Sequence, residues 1–266
     1  NSFALTAVPL FIFMGEILMR TGLTERLYNG LKPWIGRLPG GMLHTNIMAS
    51  TVFSAVSGSS LAAVATIGRI AVPEMERLGY TGRMIVGSIG GGTTIGILIP
   101  PSIIMIIYGV LAQESIGQLF IAGIIPGLIT AVLYVIYLAV RVKLQPHLAG
   151  EKPDRLPVYD RLVALLGIVP SLLLIFAVLG GIYLGIATPT EAAALGCGGA
   201  LLLGLINRRL SYGVIRDSLL GAVQITSMAV GIFLGAVLIS FVLGNLAIPR
   251  TIMAWIIELD LSPILV

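Results

Sequence analysis

Charge is scarce in this chain. Asp, Glu, Lys and Arg make up 11% of its 266 residues, and 57% are hydrophobic, where a soluble domain carries about 25% charged residues. Such a composition excludes an ordinary soluble domain and implies an integral membrane protein with about six spans plus re-entrant pieces. Cysteine is almost absent. Cys197 stands alone in LGCGG, which excludes an intrachain disulfide and a cysteine metal cluster and leaves a helix-packing role. No nucleotide-binding loop is present to suggest ATP as the energy source. Carboxylates are missing from mid-span positions: Glu16, Glu114 and Glu191 lie near the ends of apolar segments, which argues against a buried proton relay.

The formal charge is +4, but the basic residues are scattered through the connections between apolar runs. That distribution serves topology and excludes a nucleic-acid face. If residues 20–41 face the cytoplasm, every Lys and Arg except Arg250 falls on that side, as the positive-inside rule requires. No signal peptide is visible. The chain opens at Asn1 inside an apolar segment and stops at Val266 without a polar tail, so it is expected to be part of a longer protein.

What the sequence does have is glycine and proline inside apolar runs. Residues 87–109, GSIGGGTTIGILIPPSIIMIIYG, are long enough to span a bilayer. Gly90, Gly91, Gly92 and Gly96 lower helix propensity by about 1 kcal/mol each, and Pro100 and Pro101 by about 3 each. A span broken in its middle, near Gly92–Thr94, is therefore expected. Unwound backbone at membrane depth is tolerated only where protein or a water-filled cavity surrounds it, so the break marks a candidate ion or substrate site. Residues 42–72 are too many for one ordinary span and too few for two. With Ser57, Gly58, Ser59 and Ser60 at their centre, they read as a hairpin that enters and returns on the same side.

The remaining organisation follows in order. Residues 1–41 form a span and an interfacial arm helix, in which Arg26, Lys32 and Arg37 alternate with Leu23, Leu27, Leu31 and Trp34. The hairpin (42–72), the broken span (83–111) and a plain span (119–140) make up a transport region over 42–141. Residues 142–161 form a polar cytoplasmic linker. Residues 162–266 form a second set of spans (162–184, 191–206 and 219–243) with a charged connection at 208–217 and an interfacial end. FIFMG at 11–15 matches GIFLG at 231–235, and Trp34 matches Trp255 at nearly the same offset. The two copies cross in opposite directions, which is an inverted repeat. A second hairpin is expected beyond Val266.

The hydroxyls of Ser57, Ser59, Ser60, Thr93 and Thr94, with the carbonyls of the unwound backbone, are oxygen ligands suited to a hard cation such as Na⁺. Each could instead bond a helix carbonyl and serve packing alone. His44 raises the question of an intramembrane serine protease. It lies at the hairpin's entrance, far from any serine with an oxyanion helix, so no enzyme is expected.

GGGTTIGILIPPSIIMIIYG, with the upstream FSAVSGSSLAAVATIG and the downstream ATPTEAAALG, resembles the large membrane subunit of the tripartite ATP-independent periplasmic (TRAP) transporters, the DctM type. The resemblance implies an all-α integral membrane protein with an inverted-repeat, elevator-type fold containing a re-entrant hairpin and broken helices. It also implies Na⁺-driven uptake of an organic acid, such as a C4-dicarboxylate or a sialic acid, across a bacterial or archaeal inner membrane. The expected partners are a small membrane subunit, separate or fused, a periplasmic substrate-binding protein and membrane lipid. Carried onto this sequence, it places Na⁺ at Ser57, Gly58, Ser59, Gly92 and Thr93, and substrate against Ser59, Ser60, Thr94 and Pro100. A symporter of the same superfamily that needs no binding protein is the alternative. The family also has further N-terminal spans and a second hairpin, which these residues do not include.

Overall fold

The structure is a computed structural model that describes residues 3–57, 60–151, 153, 156–250 and 253–254. Among the described residues it is helical, with no strand. The chain divides into two compact units, Asn1–Val223 and Gln224–Val266.

In the first unit, α1 (Ala7–Arg20) and α2 (Leu23–Ile35) meet at an elbow bent by 64°. The bend falls at Gly22, whose φ of +92° suits glycine. Two side chains from further along brace this elbow. Arg26 donates to Asn207 Oδ1 at 2.9 Å, and Arg209 donates to Glu25 at 3.5 Å. The arm helix α2 buries Leu23, Leu27 and Tyr28 and leaves Trp34 exposed.

Next come α3 (Met42–Ser57) and α4 (Ser60–Arg77), which pack against each other. α4 continues through Pro73 to Arg77, so half of the charged connection expected after residue 69 is helix. α5 (Gly82–Ile95) and α6 (Ile103–Ala112) follow, separated by irregular backbone over 96–102. The break therefore lies beyond the expected Gly92–Thr94, which is helical. Pro100 and Pro101 have no N–H to give a preceding turn, and their peptide bond is cis.

α7 (Ile116–Leu144) is a continuous helix long and apolar enough to cross a membrane. The linker that follows is docked rather than free: Glu151 N–H donates to Leu78 O at 2.7 Å, and Gly150 lies against Tyr80. The span expected over 162–184 is two helices, α8 (Val158–Leu166) and α9 (Val169–Tyr183), bent by 41° at Gly167–Ile168. α10 (Pro189–Ile206) also has spanning length.

α11 starts at Tyr212 and runs to Asn245, so half of the expected charged connection at 208–217 belongs to it. In the second unit, helical residues 224–245 are mostly exposed and apolar, with Ile232, Leu238 and Phe241 at the surface, as suits lipid contact. Of the expected interfacial end at 244–266, residues 251–252 and 255–266, including Trp255, lie outside the described residues. The core is built around α3, which α2, α4, α5 and α7 enclose with Phe53, Ile67, Met75, Ile89 and Leu138.

Candidate functional site

α3 has an unusual composition for the most enclosed helix in the chain. His44, Thr45, Asn46, Ser50, Thr51, Ser54 and Ser57 are all buried. Asn46, Ser50, Ser54 and Ser57 recur at helical spacing and share one face, and Ser88 and Gly92 of α5 and Gly96 at its C-cap recur at intervals of four.

The two faces meet in parallel register. Asn46 Nδ2 donates to Ser88 Oγ at 2.9 Å, Thr51 Oγ1 donates to Gly92 O at 3.1 Å, and Ser54 Oγ donates to Thr93 O at 2.8 Å. The helices approach closely because α5 has no side chain at two of these contacts. A Cβ on Gly92 would lie 2.8 Å from Ile47 O and from Ser50 Cβ, and one on Gly96 would collide with Ser54. On the neighbouring face, Tyr134 of α7 lies against Gly91 and donates to Gly87 O at 2.7 Å.

The hydrogen bonding also accounts for how α5 ends. Ile97 N–H turns to Thr94 O at 3.3 Å, one residue short of its α-helical partner. The Thr93 carbonyl accepts from Ser54 instead, so the first helix of the hairpin satisfies the backbone of the second element where its helix unwinds. Beyond the break, Ser102 caps α6, its hydroxyl accepting from Met105 N–H at 3.5 Å. The N-terminus of α6, which carries the positive end of its dipole, thus opens at the break.

Of the residues expected to bind Na⁺, Ser57 is buried at the end of α3, and Gly58 and Ser59 lie outside the described residues. Gly92 and Thr93 are buried in α5, and both of their carbonyls accept hydroxyl protons from α3. The Thr93 hydroxyl donates to Gly90 O at 2.9 Å. Of those expected to touch substrate, Ser60 begins α4 and is half-buried, and Pro100 is buried within the break. Thr94 is exposed, with its hydroxyl turned back to Gly90 O. The structure thus brings Gly92 and Thr93 onto α3, while Thr94 points elsewhere.

Sequence reasoning missed the seam partners Asn46, Ser50, Thr51, Ser54 and Ser88. Their signal was the interval of four shared by 46, 50 and 54 on one helix and 88, 92 and 96 on the other. Among the described residues, Asn46 Oδ1 and Ser50 Oγ are buried with no hydrogen-bond partner.

His44 is held by Pro39 O at 2.7 Å from Nε2. Ser57 lies thirteen helical positions further along α3, about 20 Å at 1.5 Å per residue, so the two form no catalytic pair. Tyr80, in the connection after α4, accepts from Met42 N–H at 3.3 Å. Burial holds its phenol above the ordinary tyrosine range, which keeps it neutral.

Apolar helices of spanning length, joined to a helical pair packed on an interrupted helix, define a helical multi-pass membrane protein. Residues 1–266 match the family model of the tripartite ATP-independent periplasmic transporter, DctM component, and the chain belongs to that family. It is 36% identical over 264 residues to the C4-dicarboxylate TRAP transporter large permease protein DctM of Pseudomonas aeruginosa, covering 98% of this chain and 61% of that protein. It is 32% identical over 266 residues to the sialic acid TRAP transporter large permease protein SiaM of Vibrio cholerae, covering 99% of this chain and 61% of that protein. Over 253 residues it is 36% identical to the isethionate TRAP transporter permease protein DctMQ of Oleidesulfovibrio alaskensis, covering 95% of this chain and 40% of that protein. The chain thus spans about three-fifths of the length of the DctM and SiaM relatives. These relatives are permease subunits, not enzymes.

Proposed function

We propose that the chain belongs to the large permease subunit of a Na⁺-coupled tripartite transporter that imports an organic acid across the inner membrane. The observation that carries this reading is the α3–α5 seam. It fixes a helical hairpin against a helix that unwinds at 96–102 and reopens at the capped N-terminus of α6. In such a site, Na⁺ is held by hydroxyl and carbonyl oxygens at the hairpin tip, including Ser57, and the substrate carboxylate is drawn to half-helix N-termini.

Residues 42–141 form the mobile body, and the preceding span and arm, with their counterparts in an inverted second repeat at 162–266, form the static scaffold. The C4-dicarboxylate, sialic acid and isethionate named for the relatives are all organic acids, which fits a positive helix end facing the substrate. The partners are a small membrane subunit and a soluble binding protein; the name DctMQ of one relative accords with a fused small subunit.

The test is uptake of a labelled organic-acid panel into proteoliposomes carrying the full-length permease and its partner subunits. Saturable uptake that needs both an inward Na⁺ gradient and the soluble binding protein is expected. Uptake indifferent to the binding protein would make the protein an ordinary symporter, and uptake indifferent to Na⁺ would remove the ion site.

A further inference from the structure

Away from the seam, the arm, the end of the hairpin and the linker enclose a cavity of about 300 Å³, lined by Lys32, Pro33, Arg77, Leu78, Glu151 and Pro153. Three separate stretches of sequence meet there, and each is fixed in place. Lys32 is ion-paired with Glu74 across α2 and α4, Glu151 N–H is bonded to Leu78 O, and Trp34 Nε1 donates to Arg161 O at 3.3 Å. Pro33, Leu78 and Pro153 are buried and form an apolar wall.

The charges in this cavity are divided. Lys32 is engaged by Glu74, while Arg77 and Glu151 have no ion-pair partner among the described residues. Among the described residues, the lining therefore offers a guanidinium and a carboxylate without an ion-pair partner, on two stretches joined by the Glu151 N–H to Leu78 O bond. A purely anionic guest would satisfy the first and oppose the second. A guest bearing an anion and an ammonium a few bonds apart satisfies both.

The surroundings indicate where that guest comes from. The basic connections place this end of the molecule at the cytoplasmic membrane surface. Trp34, exposed by 45%, stands beside Pro33 in the position of an interfacial aromatic anchor. Leu156, which also lines the cavity, and Val158 two residues on present exposed apolar surface where acyl chains would lie.

We infer that this cavity binds the headgroup of a phosphoethanolamine lipid from the cytoplasmic leaflet. The phosphodiester lies against Arg77 and the ammonium donates to Glu151. Arg77 recognises the phosphate through its planar fork of donors. Glu151 supplies selectivity, because a primary ammonium donates hydrogen bonds to a carboxylate and a quaternary choline cannot. The site depends on the membrane orientation of the chain and, because it lies between the arm and the end of the hairpin, on the conformation in which the two meet.

Native mass spectrometry of the full-length permease, titrated in detergent with phosphatidylethanolamine, phosphatidylcholine and phosphatidylglycerol of matched chains, tests it. Phosphatidylethanolamine adducts are expected to exceed the other two. Arg77→Gln should lower them about tenfold, the effect of losing one charge-assisted hydrogen bond, while Lys143→Gln, a basic residue outside the cavity, should leave them unchanged. Glu151→Gln should erase the preference for ethanolamine over choline while retaining binding. Equal binding of all three lipids, or binding unchanged in Arg77→Gln, would overturn the proposal. Displacement of the lipid by millimolar inorganic phosphate would also overturn it, because the site would then read an anion alone rather than the zwitterionic headgroup of a membrane lipid.

Discussion

The Ser54 hydroxyl donates to the Thr93 carbonyl at 2.8 Å, and this bond joins the hairpin to the helix that unwinds beside it. Ile97 N–H has turned to Thr94 O, so Ser54 supplies a donor that the helix itself gives elsewhere. Ser54→Ala leaves a buried carbonyl without that donor and should destabilise the protein by about 1–3 kcal/mol. Ser54→Thr keeps the hydroxyl and should lose less. Thermal unfolding of the purified permease in detergent checks both; equal stability of Ser54→Ala and wild type would mean that the bond contributes nothing.

Glycines on α5 divide into two groups by what surrounds them. Gly92→Ala and Gly96→Ala force a methyl into α3, against Ile47 and Ser50 in one case and Ser54 in the other, and each should cost about 1–3 kcal/mol through overpacking. Gly87 and Gly90 have open space where a Cβ would go, so Gly87→Ala and Gly90→Ala should be neutral or slightly stabilising. The same melting assay separates the pairs, and similar losses at all four positions would refute a seam confined to Gly92 and Gly96.

The contrast between these glycines also explains how far the sequence could be read. Helical membrane character and an interruption of the helix at Pro100 follow from composition, length and backbone chemistry, and both are local properties. Where the interruption starts is decided by tertiary contact. Gly90, Gly91 and Gly92 appeared to unwind the chain, but packing of α3 and Tyr134 keeps them helical and moves the break to Gly96. For the same reason Thr93 and Thr94 could be named as hydroxyl ligands, although both hydroxyls are turned to Gly90 O. The polar face of Asn46, Ser50 and Ser54 was visible as a spacing. Its partner on α5 was not, because pairing one helix face with another needs a register that a single sequence does not contain.

Glu191, which lies near the end of an apolar segment, is part of a capping box. The Thr188 hydroxyl accepts from Glu191 N–H, and the Glu191 carboxylate accepts from Thr188 N–H at 2.8 Å. Thr188→Ala should destabilise α10 by about 1 kcal/mol. Glu191→Gln retains an acceptor and should lose less than Glu191→Ala. If all three variants melt with the wild type, the cap makes no contribution to stability.

Lys32 and Glu74 connect the arm to the second helix of the hairpin, and both side chains are largely buried, at 26% and 19% exposure. Under the proposed mechanism the arm stays with the scaffold while the hairpin travels, so this pair must separate in each cycle. Lys32→Cys with Glu74→Cys, joined by a short flexible bis-maleimide, would forbid that separation. Within these 266 residues the background is favourable, because their one cysteine, Cys197, is buried and donates to Leu10 O at 3.0 Å. Cross-linked protein should bind Na⁺ and substrate yet show uptake at the level of empty proteoliposomes, and each single-cysteine variant given the same reagent should transport normally. Full uptake by completely cross-linked protein would mean that the arm and the hairpin move together, and the boundary between static and mobile parts would have to lie on the far side of α2.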